Sequence, residues 1–187
     1  KAMNAFRHIT SVVQKTLGEF QMIPENCRVL AAVSGGADSV LMALVMNELG
    51  VLHGIAHCNY QLRGEESDRE AFFVKSFAES LSVPFYNIEF QTRSHTEASG
   101  DSLQVVARNL RYDFFERIMD AENFHVCATA HHQNDQAETI LMSFVKGFSP
   151  EIIKGIPWKR ERYIRPLLKT TRIEIENALK EKNQPYC

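Results

Sequence analysis

An α/β fold, a doubly wound and mainly parallel sheet with helices on both faces, is what this sequence predicts, and three observations predict it. Short apolar runs of strand length alternate along the chain with longer amphipathic stretches of helical period. The first such run ends in a serine-flanked glycine pair that opens a helix, SGGADS (34–39). The chemistry-bearing stretches SGGADS, HCNYQLR (57–63) and AHHQNDQAE (130–138) each follow a strand, where open parallel sheets bind their ligands.

The elements follow in order. Phe6, Ile9, Val13, Leu17 and Phe20 recur at three and four, giving a helix over 4–20 that Pro24 and Asn26 punctuate. RVLAAV (28–33) is a continuous apolar run, as in a buried parallel strand. A helix over 38–49 stops at Gly50, and VLHGIAHC (51–58) is the second strand. The helix over 66–81 carries Phe73, Val74, Phe77, Ala78 and Leu81 on one face, and PFYNIEF (84–90) is the third strand. Residues 91–101 are polar and read as a loop. The helix over 102–121 has a stripe of Leu103, Ala107, Leu110, Phe114 and Ile118, and FHVCATA (124–130) is the fourth strand. A helix over 134–146, a loop holding Gly147, Pro150, Gly155 and Pro157, a fifth strand RYIRPLL (162–168) and a helix over 170–183 complete the chain.

The bulk composition excludes several classes. The 187 residues suit one domain, with no internal repeat or low-complexity segment. With 21 basic and 23 acidic residues there is no domain-wide basic footprint, so nucleic-acid contact must come from a local patch. Cys27, Cys58, Cys127 and Cys187 are scattered, without the C-x-x-C spacing of zinc, iron–sulfur or redox sites, and read as small buried hydrophobes in a reducing compartment. No apolar run has membrane-spanning length and KAMNAFRHIT has no signal-peptide core, so a cytoplasmic protein without membrane contact is expected.

The loop SGGADS has the makings of a phosphate cradle. Gly35 and Gly36 permit close backbone approach, the helix beyond aims unpaired N–H groups at the same point, and Ser34 and Ser39 add hydroxyl donors. It is neither a Walker-type loop, which needs Gly-Lys-Ser/Thr, nor a G-x-G-x-x-G dinucleotide turn. Asp38 in its middle either caps the helix or holds a divalent cation that accompanies the phosphates. Farther along, Asp135 and Glu138 lie three apart on one helical face behind His131 and His132. Such a pair can bind metal or take a proton, or simply favour the helix dipole in a solvated first turn.

These motifs carry a family resemblance. SGGADS resembles the SGGxDS signature of the N-type ATP pyrophosphatases, which cut ATP between its α- and β-phosphates and adenylylate a substrate oxygen. ATAHHQNDQAETILM (128–142) resembles the ATAHHxDDQAETxLM segment of the tRNA(Ile)-lysidine synthetase family, with Asn134 in place of an aspartate. ARNLRYDFF (107–115), HCNYQLRGEES (57–67, with Tyr60 for a usual histidine) and IRPLLKTTRIEI (164–175) are similar to further segments of that family. FSPEIIK (148–154) departs from it, standing where a basic, glycine-rich segment is usual.

The resemblance implies an adenine nucleotide α-hydrolase-like, Rossmann-like fold and a catalytic ATP-pyrophosphatase domain over 1–187, a fragment lacking C-terminal tRNA-binding domains. It implies a ligase that uses ATP and Mg2+ to adenylylate the wobble cytidine of tRNA(Ile) with a CAU anticodon, then attaches L-lysine. It implies that Ser34, Gly35, Gly36, Ala37, Asp38 and Ser39 bind the nucleotide, with Asp38 on the metal, and that Asp135 and Glu138 receive the lysine. Arg108 and Arg111 are candidates for the α-phosphate or the cytidine, or else form a solvated helix face, and His57 either touches adenosine or is a satisfied core histidine. Leu62 and Arg63 fall in a loop near the nucleotide. WKRERYIR (158–165), with four basic residues and two aromatics, is the best local candidate for RNA contact. The alternatives are another enzyme on the same scaffold, such as a tRNA thiolase, and a nucleotide-binding sensor without turnover.

Overall fold

The computed structural model describes residues 4–61, 64–90, 102–135, 137 and 156–187. Their elements are α1 (Ala5–Glu19), β1 (Val29–Ala32), α2 (Ala37–Glu48), β2 (Gly54–Asn59), α3 (Glu65–Ser80), β3 (Phe85–Glu89), α4 (Leu103–Ala121), β4 (Val126–Ala128), β5 (Lys159–Arg160), β6 (Tyr163–Ile164) and α5 (Arg172–Glu181). The strands form one sheet in the order β3-β2-β1-β4-β6-β5. All neighbouring pairs are parallel except the antiparallel pair β5–β6. The mainly parallel sheet matches the sequence expectation. The hairpin corrects it, since a two-residue edge strand at Lys159–Arg160 precedes the single strand expected over 162–168, and that strand narrows to Tyr163–Ile164.

Strand alternation sends successive residues to opposite faces. Val29, Ala31 and Val33, with Ile55 of β2, meet α1, α2, α3 and α5 on one side, where Ile9, Val13, Leu41, Phe77 and Leu179 pack. Leu30, Ala56, Cys127 and Tyr163 meet α4 on the other, against Phe114, Phe115 and Met119. Gly54 opens β2 beneath the second layer because nothing larger fits: a Cβ there would lie 2.7 Å from Cζ of Phe124.

Arg162 pins the hairpin to α4. Its Nη1 donates to Glu116 (3.0 Å) and Asp120 (2.7 Å), and its Nη2 to the Phe124 carbonyl. Trp158 stacks on Phe20 with ring centroids 4.4 Å apart, and Lys169 lies over both rings while reaching Glu19. Among the described residues no helix is long and apolar enough to cross a membrane. Cys127 is buried as expected, Cys27 and Cys58 are half-buried, and Cys187 is exposed, against the expectation of a buried hydrophobe.

Candidate active site

Strand order reverses at β1, whose neighbours β2 and β4 run to opposite edges, so a crevice opens at the carboxyl ends of β1 and β4. The glycine-pair loop fills its mouth. Gly35 has φ +104°, a conformation L side chains rarely adopt, and its carbonyl accepts the backbone N–H of Cys187. Gly36 caps α2 without a side-chain bond. The N–H groups of Ala37, Asp38 and Ser39 lie in the first turn of that helix, which leaves such donors without intrahelical partners.

The loop serines are tied together rather than dangling. Ser34 N–H donates to Ser39 Oγ, Ser39 Oγ–H donates to the Gly36 carbonyl, and Gly36 N–H donates to Ser34 Oγ. The two hydroxyl oxygens lie 3.2 Å apart. This ring of bonds uses three donors within the loop and fixes it as an arch before the unpaired N–H groups of the first turn of α2, which suit an anion.

Behind the arch lies a hollow of about 190 Å3 on the α4 side of the sheet. Ser34 and Ser39 border it on the loop, Ala56, Cys58 and Tyr60 on β2 and beyond, and Thr129, Ala130 and His131 after β4. Arg111 and Phe115 of α4 close it. Alternation explains why His57 does not line it: Ala56 and Cys58 face α4, whereas His57 points the other way, 2% exposed, with Nδ1–H donating to the Val33 carbonyl at 2.8 Å. Burial lowers its pKa, so it stays neutral. Burial likewise pushes the Cys58 thiol up to about 12, leaving a protonated sulfur rather than a thiolate nucleophile in the hollow.

The adjacent histidines divide. His131 turns into the hollow, bonded to Thr129 Oγ1 at 3.2 Å, and burial together with the positive field of Arg165 lowers its pKa to about 4. His132 turns toward the loop. Its Nδ1 accepts Asn134 N–H, so Nε2 carries the proton, 3.5 Å from Asp38 Oδ2. Asp135 reaches back to accept His132 N–H at 2.9 Å, as an N3 carboxylate does in a helix cap. Asp38 and Asp135 therefore flank one imidazole beside the arch. Asn134 keeps an oxygen acceptor where the resembling family often has an aspartate, and takes the N–H of Arg172 at 3.2 Å.

Arg172 escaped the sequence reading. Its Nη1 donates to both oxygens of Asp38 and its Nε to Glu176. The legible signal was local: Thr171 and Glu174 form a capping box that starts α5 at Arg172. The negative charge within the phosphate loop thus has a guanidinium and an imidazole N–H facing it. No group of three or more His, Cys, Asp or Glu able to hold a metal occurs among the described residues. A divalent ion on Asp38 would need its remaining ligands from phosphate oxygens and water, a donor set that fits magnesium.

The two candidate arginines also part company. Arg111 lines the hollow behind the arch, while Arg108 is exposed and lines a second one against the hairpin, with the Tyr112 ring taking both cations at 5.4 and 5.1 Å. In WKRERYIR, Arg162 is spent on α4, Tyr163 and Arg165 are buried and Trp158 is stacked, leaving Lys159 and Arg160 exposed. Glu138, Leu62 and Arg63 lie outside the described residues, as does FSPEIIK.

Comparison with known proteins bears on the same site. The chain is 39% identical over 180 residues to a tRNA(Ile)-lysidine synthase of Porphyromonas gingivalis, covering 95% of this chain and 40% of that protein. A tRNA(Ile)-lysidine synthase of Chlorobaculum tepidum is 39% identical over 166 residues, covering 87% and 50%. The chain thus spans about half or less of the length of these relatives. Among solved structures, the NH3-dependent NAD synthetase of Campylobacter jejuni superposes with a TM-score of 0.66 at 16% identity over 97% of this chain and 75% of that one, a likeness of fold. Residues 8–187, including the glycine-pair arch, the crevice and the last helix, match the PP-loop domain, and the chain belongs to that family.

Proposed function

We propose that the chain is the ATP-using catalytic domain of a tRNA(Ile)-lysidine synthetase, a ligase acting on tRNA(Ile) with a CAU anticodon. The observation that carries the proposal is the convergence on one crevice of a donor arch, the Asp38–His132–Asp135 constellation and Arg111. The naming of the relatives supports the substrate.

In this reading the arch formed by Ser34, Gly35, Gly36, Ala37 and Ser39 holds the β- and γ-phosphates, and the adenosine enters the hollow beside Cys58 and His131. His57 acts from behind, fixing the Val33 carbonyl where the loop begins. The cytidine O2 attacks the α-phosphorus, forming an O–P bond as pyrophosphate leaves. The lysine amine then attacks carbon 2 of the base, forming a C–N bond as AMP leaves, and gives up a proton. Magnesium bound with ATP supplies charge neutralisation on the phosphates. Asp38 would hold that ion, and Arg111 faces the charge that develops at the α-phosphate, the main demand of such a transfer. Asp135, with Glu138, receives the lysine ammonium and accepts its proton. The scattered cysteines, without a C-x-x-C pair, favour this reading over a thiolase.

The test is pyrophosphate release and lysine incorporation measured with ATP, Mg2+, lysine and tRNA. Both should require the CAU-anticodon tRNA, and AMP should appear in step with lysine. ATP binding without turnover under every combination would instead identify a sensor.

A further inference from the structure

We infer that the hollow between α4 and the β5–β6 hairpin is a phosphodiester subsite, in which Arg108, Arg160 and Arg165 grip an RNA backbone phosphate beside the nucleotide hollow. It encloses about 250 Å3, below the roughly 300–1,000 Å3 of whole small-molecule sites and suited to a fragment of a larger ligand. Arg108 and Arg160 are exposed at its rim.

Arg165 forms its floor and is 7% exposed. Its Nη1 donates to the Pro157 carbonyl at 2.6 Å, yet its Nε is buried with no acceptor among the described residues. A buried guanidinium N–H without an acceptor is costly, so the charge of Arg165 is poorly solvated and favours an anion in the hollow that it floors. Two carboxylates, Glu116 and Glu161, line the same hollow against its three arginines. Glu116 is taken by Arg162 at 3.0 Å and by the Tyr163 hydroxyl at 2.6 Å, and Glu161 sits exposed on the hairpin turn. Burial lowers the Arg165 pKa, the Tyr112 hydroxyl beside it acts the other way, and the fields of Arg160 and Arg108 lower it further.

The position favours a strand over a free nucleotide. Tyr112 lines this hollow, and its ring meets both Arg108 and Arg111, the second of which lines the hollow behind the phosphate arch. With the adenosine of ATP in the hollow behind the arch, a polynucleotide that brings a base to the α-phosphate has a backbone phosphate to offer to the adjoining hollow. The inference rests on the proposed RNA substrate and assigns it a contact that carries no sequence information.

The experiment is equilibrium binding of a CAU anticodon stem–loop RNA to the full chain across a salt series, with ATP binding measured in parallel. Arg160→Gln and Arg108→Gln should each weaken RNA binding about fivefold or more and reduce the salt slope by roughly 0.7–0.9, the release expected for one phosphate contact. They should weaken a stem–loop of unrelated sequence by the same factor, and Arg160→Lys should recover much of the loss. RNA affinity and slope unchanged in both glutamine variants would overturn the subsite while leaving the RNA-modifying function intact. Loss of ATP affinity equal to the loss of RNA affinity would reassign the hollow to the nucleotide. A wild-type chain that binds ATP but no RNA at low salt would overturn the proposed function and the subsite with it.

Discussion

Arg172 donates through a single nitrogen, Nη1, to both carboxylate oxygens of Asp38, at 3.0 and 2.9 Å, across 134 residues of chain. A guanidinium at a helix N-terminus is poorly placed with respect to the dipole, so its presence there needs compensation. Asp38 supplies it from the phosphate loop and Glu176 from the next turn. The contact makes the last helix a part of the loop's electrostatics. Both partners are partly open to solvent, so Arg172→Ala should cost under about 1 kcal/mol of stability. It should nevertheless raise the KM for ATP, because Asp38 loses the partner that orients it. One nitrogen facing two oxygens is a point-charge contact, which lysine can imitate, so Arg172→Lys should restore part of the ATP affinity. Steady-state kinetics beside urea melts separates the two effects. Asp38→Asn, by contrast, should lower pyrophosphate release on the order of 100-fold while the fold persists.

The two loop glycines should fail differently. At Gly35 a Cβ would meet Cys187 and Val74 at 3.5 Å, an ordinary contact, so the cost of Gly35→Ala lies in the backbone at φ +104° and should reach about 1–2 kcal/mol. At Gly36 the backbone is extended, with φ −70°, and only Ser34 Oγ lies near, at 3.6 Å. Gly36→Ala should therefore keep its melting temperature and lose nucleotide affinity, since the added methyl stands on the approach to the arch. Calorimetric ATP titrations paired with thermal melts decide this. Equal loss of stability at both positions would count against the division.

A third prediction concerns the cap that delivers Arg172. Thr171 Oγ1 accepts Glu174 N–H, and the Glu174 carboxylate takes the Thr171 N–H at 2.7 Å, which holds the Glu174 carboxyl below the usual carboxylate range. Thr171→Ala should cost about 1 kcal/mol and also raise the KM for ATP, by loosening the first turn on which Arg172 sits. A drop in stability with unchanged ATP kinetics would detach the cap from the site.

These contacts mark the boundary of what the sequence made legible. β1, its glycine loop and the strand–helix alternation were readable because apolar period and turn chemistry are local signals. The hairpin at Lys159–Ile164 was not, since two-residue strands are too short to show a period. Arg172 sits on an exposed helix end, where an arginine carries no local sign of a partner 134 residues away. Arg108 and Arg111 looked equivalent at three-residue spacing. Their surroundings differ in the fold, Arg111 lining the hollow behind the arch and Arg108 the one at the hairpin, where Tyr112 packs on Tyr163 at 4.8 Å. His57 followed a strand as an active-site residue would, but alternation turned it away from the hollow.

His131 supplies a pH signature. Its pKa falls from 6.5 to about 4 in the folded chain through burial and the nearby arginines. Above pH 6.5 it is neutral folded or unfolded and imposes no penalty. As pH falls from 6.5 to 4 the unfolded chain alone takes up the proton, so stability declines by roughly 3 kcal/mol and levels off below. His57, lowered by burial, acts in the same direction, whereas the depressed Glu174 acts from about pH 4.5 downward. Urea melts between pH 7 and 4.5 should therefore decline less steeply in His131→Gln than in the wild type, and parallel curves would refute the assignment. The same buried position links the group to the nucleotide. The α-phosphate facing Arg111 at the edge of the hollow offsets the arginine field and raises the His131 pKa. ATP binding at pH 5 should then take up a fraction of a proton, seen as a dependence of the binding enthalpy on buffer ionisation heat, and His131→Gln should abolish that fraction.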